Sequence, residues 1–274
     1  MRSIAILNQK GGVGKTTTAV NLSAALAESG QRVCLIDLDP QAHASLHVGV
    51  CLSEDEPSVY DVLTRDYAIA QVRRQVAENL WVVPADLNLA AAEMELANEV
   101  GREVILRDKL EADDQKFDYV ILDCPPSLGV LTLNALTTVE EVFLPLQPHF
   151  LALHGLSKLL RTIEIVAKRL NPVLQLTGVV FCMYDSGTRL AAEVSTDVYD
   201  FFSKRAGSEG VWREVRNFKT HIRRNIRLAE APSFGQSIFE YSPHSNGAED
   251  YRNLCREVLG LPLANAEPDL AKAG

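Results

Sequence analysis

Eight residues, Lys10-Gly11-Gly12-Val13-Gly14-Lys15-Thr16-Thr17, follow closely on a short apolar run (Ser3 to Leu7) and lead into helix-forming sequence. Three glycines in four positions let the backbone curl until successive N–H groups point at one spot, an arrangement that suits an anion. The N-terminal end of the following helix adds positive potential there. Lys15 then reaches the β and γ phosphates of a nucleoside triphosphate, and the Thr16 hydroxyl can ligate Mg2+. The pattern GxxxxGK[ST] is broken only at its first position, where Gln9 stands. A strand, a phosphate loop and a helix in that order open an α/β fold with a mainly parallel sheet.

Lys10 is a second lysine in the same loop. Two ammonium groups beside one phosphate chain repel unless much negative charge is present. Lys10 is therefore either a solvated surface residue or a group that contacts phosphate across a dimer interface, like an arginine finger supplied in trans.

The rest of the 274-residue chain is consistent with this opening. Its length allows one large α/β domain or two smaller ones. Apolar runs alternate with amphipathic stretches, as in repeated βα units. Strands are expected over Ser3–Asn8, Arg32–Asp37, Leu80–Pro84, Phe117–Asp123, Glu140–Leu146 and Leu176–Met183. Helices are expected over Thr16–Ser29, Ala85–Glu99, Glu103–Ala112, Leu151–Leu170, Leu190–Lys204 and Ala248–Leu259. The reading is a single ATPase domain over 1–260, its twisted sheet flanked by helices, and a frayed tail over 261–274. No apolar run is long enough to span a membrane, and the N-terminus lacks the pattern of a secretory signal. Five scattered cysteines form no CxxC pair, which argues against a disulfide framework or zinc site and fits a cytoplasmic protein.

Three aspartates end apolar runs near the loop in sequence logic: Asp37 and Asp39 in LIDLDPQ, and Asp123 in VILDCPPS. Mg2+ takes few carboxylates and keeps waters. An Asp closing a buried strand suits it, which assigns Asp123 to the metal through water. Each of the three aspartates has an alternative role, capping the turn before Pro40 or Pro125.

The run KGGVGKTTTAVNLSAALAESGQRVCLIDLDPQ resembles the deviant-Walker ATPases of the ParA/Soj/MinD superfamily, in which the first lysine is the signature lysine. YVILDCPPSLGVLTLNAL, LPLQPHFLALHGLSKLL, GVVFCMYD and RRNIRLAEAPSFGQSIFEYSPHSNGAEDY extend the match over nearly the whole chain, closest to the short Soj-like ParA class. The resemblance implies that Asp39 positions the attacking water and that Asp37 supports the metal shell. It implies that DCPPSLG is a switch segment, with Cys124 a packed residue inside it. It places adenine between Met183-Tyr184-Asp185 and the turn Ile222-Arg223-Arg224-Asn225. Arg223 replaces the family's proline there, and its guanidinium can stack on a base.

Formal net charge is −9, a poor starting point for a nucleic-acid binder. Yet Arg213, Arg216, Lys219, Arg223, Arg224 and Arg227 crowd into 213–227, with Glu214 the only acid among them. These form either a solvated face or a patch that neutralises DNA phosphates without reading sequence. The resemblance favours DNA: Arg224 and Arg227 match the family's pattern, and Arg189 stands two residues from the place of another family arginine. It implies an ATP-dependent homodimer on nonspecific DNA, nucleoid-associated when ATP-bound and released by a ParB-like centromere-binding protein that stimulates slow hydrolysis. A MinD-like membrane-cycling ATPase is the main alternative. It needs a basic amphipathic C-terminal helix, and Leu261–Gly274 holds one lysine and no amphipathic period.

Overall fold

Uninterrupted burial along Val33–Asp37 and Tyr119–Asp123 marks strands covered on both faces. In the computed structural model, which describes residues 1–149 and 155–263, they lie near the middle of a sheet. Its nine strands among the described residues are β1 (Arg2–Ile6), β2 (Val33–Asp37), β3 (Arg74–Ala77), β4 (Leu80–Val83), β5 (Tyr119–Asp123), β6 (Glu141–Leu146), β7 (Gln175–Tyr184), β8 (Arg216–Asn217) and β9 (Ile222–Arg223). The order is β3-β4-β2-β5-β1-β6-β7-β8, with β9 also on β7. Pairing is parallel except for the β3–β4 hairpin at one edge.

Side chains alternate between two cores, as the two-residue strand period requires. Ala5, Cys34, Ile36, Val120 and Leu122 face a core shared with helices Val130–Thr138 and Leu156–Arg169. Ile4, Ile6, Val33, Leu35, Tyr119 and Ile121 face the opposite core, shared with helices Lys15–Glu28 and Asn246–Val258. In register, Ile6, Asp123 and Asp37 stand side by side on β1, β5 and β2. That row carries the loop after β1 and both acids to one edge of the sheet.

The expected strands recur within about two residues of their bounds, and the structure departs from expectation elsewhere. Ala85–Glu99 is not one helix but two 3₁₀ turns, Leu87–Ala91 and Leu96–Asn98, around a single helical turn, Ala92–Glu95. Ala85, Leu89, Ala92 and Leu96 anchor it, while Leu87 and Met94 point to solvent. The helix expected over Glu103–Ala112 shortens to Ile105–Glu111. Helix Val130–Thr138 has no counterpart in the sequence reading. It is buried around most of its circumference, so no amphipathic period marks it. Leu156–Arg169 is helical, while 150–154, which includes the first four residues of the helix expected over 151–170, and 264–274, most of the expected tail, lie outside the described residues. No helix among the described residues is long and apolar enough to cross a membrane.

Candidate nucleotide site

The loop between β1 and helix Lys15–Glu28 is braced before it turns. Asn8 donates from Nδ2 to the Pro145 carbonyl (2.8 Å) and accepts from the Lys10 N–H at Oδ1 (2.9 Å). Gly12 and Gly14 adopt φ of 71° and 94°, a region that side chains other than glycine's avoid. A Cβ on Gly11 or Gly12 would meet no atom within 4 Å, so both glycines border open space. A Cβ on Gly14 would lie 3.3 Å from Cys182 Cβ, because the end of β7 packs against the loop. The two lysines part company here. Lys15 is buried, its Nζ on the Lys10 carbonyl at 3.4 Å. Lys10 is exposed, and its ammonium has no partner among the described residues.

Asp37 and Asp123 are fully buried, on the face covered by helix Lys15–Glu28. Their surroundings differ. Asp37 accepts from the Ser45 N–H (2.8 Å), the Ser45 hydroxyl (2.7 Å) and the Asp39 N–H (3.1 Å). Burial still pushes it up to about 6. Its bonds organise the turn 38–45, which agrees better with the turn-capping alternative than with a bare metal ligand. Asp123 has both oxygens unpaired among the described residues. Burial, and next the Asp37 charge, hold it well above the usual carboxylate range. The Thr16 hydroxyl and Lys15 pull it back in part, the hydroxyl without a bond of good geometry. An unpaired buried carboxylate is costly, and a hard cation beside it removes the cost. No group of three or more His, Cys, Asp and Glu forms a metal cage among the described residues. Asp39, half-buried, accepts from the Gln41 N–H at 3.0 Å and lies close enough to act electrostatically on Asp123.

The segments expected around a base also reach this edge. Met183, next to Cys182, holds a strained φ of 52°, and the Arg224 N–H donates to the Tyr184 carbonyl (3.1 Å). Asn225 caps the next helical turn by accepting from the Arg227 N–H. Arg223 does not match the expectation of stacking. Its Nη2 pairs with Asp250 (2.6 Å) and Glu249 (2.8 Å), and its own N–H donates to Asp250. Those bonds turn the guanidinium toward helix Asn246–Val258 and hold its charge there, pushing its pKa further up.

The basic run 213–227 is not one patch. Arg216 pairs in register with Gly178 near the start of β7, and Arg223 with Tyr184 at its end. Six residue steps of strand, about 20 Å, separate them. Arg216 shares a cleft with Arg2, Glu141 and Glu214, and the Lys219 N–H donates to Glu257. Arg189, Arg224 and Arg227 belong to the nucleotide edge, all exposed; Arg227 pairs with Glu230 at 2.8 Å. Sequence reasoning missed Asn8 and Ser45, whose roles depend on partners elsewhere in the fold.

The family model described as an AAA domain matches residues 1–176. The sporulation initiation inhibitor protein Soj of Bacillus subtilis is 47% identical over 256 residues, covering 93% of this chain and 97% of its own length. The chain belongs to the Soj/ParA family of chromosome-partitioning ATPases. The chromosome partitioning protein ParA of Caulobacter vibrioides is 44% identical over 94% of both chains. A structure of cobyrinic acid a,c-diamide synthase from Mycobacterium smegmatis, with bound ATP analog and magnesium, is 37% identical with a TM-score of 0.79 over 94% of each chain. This Soj/ParA-family chain thus shares its fold with proteins of differing names, and its function has to be argued from its own site.

Proposed function

We propose that this protein is an ATP-gated DNA-partition switch. ATP closes a sandwich dimer, the dimer binds nonspecific DNA, and hydrolysis stimulated by a ParB-like centromere-binding partner releases it. The observation that carries the reading is the contrast between the two loop lysines. Lys15 turns inward against the loop's own carbonyl, placed to serve the phosphates of its own nucleotide. Lys10 stands at the mouth with its charge uncommitted, placed to serve a nucleotide held by a second copy.

Nucleotide binding falls to Gly11, Gly12, Val13, Gly14, Lys15, Thr16 and Thr17, whose N–H groups and side chains surround the phosphates. Thr16 and Asp123 would hold Mg2+, with Asp37 behind them; the ion, when bound, neutralises charge on the phosphates. Asp39 orients water for attack, since only one of its oxygens is committed to its own turn. Met183, Arg224 and Asn225 border the base, while Arg223 supports the turn from behind. Arg189, Arg224 and Arg227 make the DNA edge, doubled by dimerisation; Arg216 stands apart from it, about 20 Å back along β7.

The test is a DNA-binding titration at several salt concentrations with ATP, with ADP and without nucleotide, beside sedimentation of wild type and Lys10→Ala. Binding and dimer formation with ATP alone, both lost in Lys10→Ala, are expected. DNA binding indifferent to nucleotide would sink the switch, and no binding at low salt would sink the DNA role.

A further inference from the structure

Directly behind the phosphate loop three elements meet at one buried polar point. The Thr18 hydroxyl, on the first turns of helix Lys15–Glu28, lies 3.2 Å from the Tyr251 hydroxyl and 3.6 Å from Cys182 Sγ. Tyr251 belongs to helix Asn246–Val258 and Cys182 to β7. All three residues are essentially inaccessible to solvent. From this point two short paths lead to the loop. The Thr18 N–H donates to the Gly14 carbonyl at 2.9 Å, and Cys182 occupies the space beside Gly14 that a side chain there would need, 3.3 Å from the position of a Cβ. Gly14 is the left-handed residue at which the loop turns into the helix. A displacement of Thr18 therefore acts on the residue immediately before Lys15.

The phenol is an odd choice for this place. Leu22, Leu254 and Cys255 belong to the same core, and a phenylalanine ring would fill the volume. A hydroxyl buried among apolar side chains is unfavourable unless it is hydrogen-bonded. Its one hydrogen-bond partner among the described residues is Thr18. Burial also keeps the phenol protonated, far above its ordinary range, so it remains able to donate. The neighbouring residue in the same helical turn, Asp250, grips Arg223 through its main chain and side chain. The helix is thus held at the residue just before Tyr251, which gives the hydroxyl a firm base from which to hold Thr18.

We propose that Tyr251 is a positioning residue for the phosphate loop: its hydroxyl fixes Thr18, and through Thr18 and Cys182 the Gly14–Lys15 turn, in the geometry that receives the phosphates. The inference deepens the reading of the loop as a nucleotide site and rests on it.

The experiment measures Mg-ADP affinity by calorimetry, and kcat and KM for ATP, in Tyr251→Phe, Thr18→Val, Thr18→Ser and the double variant Tyr251→Phe/Thr18→Val. Tyr251→Phe and Thr18→Val are expected to weaken Mg-ADP binding about 5- to 20-fold and to raise KM similarly, with kcat changed less than about 2-fold. Thr18→Ser, which keeps the hydroxyl, should retain near wild-type affinity. The double variant should bind no more weakly than the worse single one, since both changes remove one interaction. A Tyr251→Phe protein that melts lower but binds Mg-ADP as wild type does would overturn the proposal and leave the phenol a purely structural group. Fully additive losses in the double variant would overturn it too. Lys15→Ala serves as the control for the underlying reading. If it binds nucleotide as tightly as wild type does, the loop assignment itself fails. If it does not, and Tyr251→Phe is unaffected, only the present inference fails.

Discussion

Lys15 and Asp39 occupy the same edge but face different tasks, and single substitutions separate them. Lys15 is buried in the loop with only a backbone carbonyl to hold, so its charge is available for phosphate. Lys15→Ala should cost roughly 100-fold in ATP affinity, the range of a lost charge-assisted contact in a buried site, as measured by fluorescent-nucleotide titration. Asp39 touches its own turn and reaches Asp123 only through its field. Asp39→Ala should leave ATP affinity within about 2-fold and slow hydrolysis roughly 100-fold or more, at the scale of a lost general base. It should then accumulate as an ATP-bound dimer in sedimentation; normal turnover in Asp39→Ala would remove its water-positioning role. Much of this scale was legible in the chain. Lys10–Thr17 and Asp123 are local signals, because glycine spacing and an acid at a strand end carry their own chemistry. Asn8 and Tyr251 gave no such signal. Their partners lie 137 and 233 positions away, so only the fold reveals what they hold.

Among the elements, the short helix His43–His47 shows how the turn after β2 is secured. His47 is 1% exposed, its Nε2 has no partner among the described residues, and the nearby backbone of Gln236 offsets only part of the burial. Burial pushes the imidazole down to about 4 from 6.5. The sign follows directly. Below 6.5 the unfolded chain takes up a proton that the folded protein refuses, so stability is complete above that pH and falls as pH drops toward 4, by up to about 3 kcal/mol. Urea unfolding at pH 7 and pH 4.5 should show this loss, and His47→Gln should remove most of it; an unchanged pH profile in that variant would assign the loss to other groups. Strand and helix bounds were readable to the extent that each element had one wet face. Val130–Thr138 escaped because it has almost none, and 85–99 was over-read because its four buried anchors mimic a helical period.

At the scale of the molecule, chain order misled where the sheet intervened. Six cations crowded into 213–227 left a solvated face and a single patch both open, but β8 and β9 pair with opposite ends of β7 and carry Arg216 away from Arg224, which follows β9. On the proposed function, Arg189, Arg224 and Arg227 of two copies give about six phosphate contacts and a slope near −5 in log affinity against log salt. Arg224→Ala should flatten that slope by about 2 per dimer, and Arg216→Ala should leave it unchanged; a slope altered equally by both would return the two arginines to one surface. The same separation shapes the encounter with a polyanion. A body of net charge −9 is repelled from most directions of approach. Concentrating exposed cations at the carboxyl ends of the strands leaves one direction of weak repulsion, and the resulting torque turns the molecule before it touches. The edge that reads the nucleotide is then the edge that lands first.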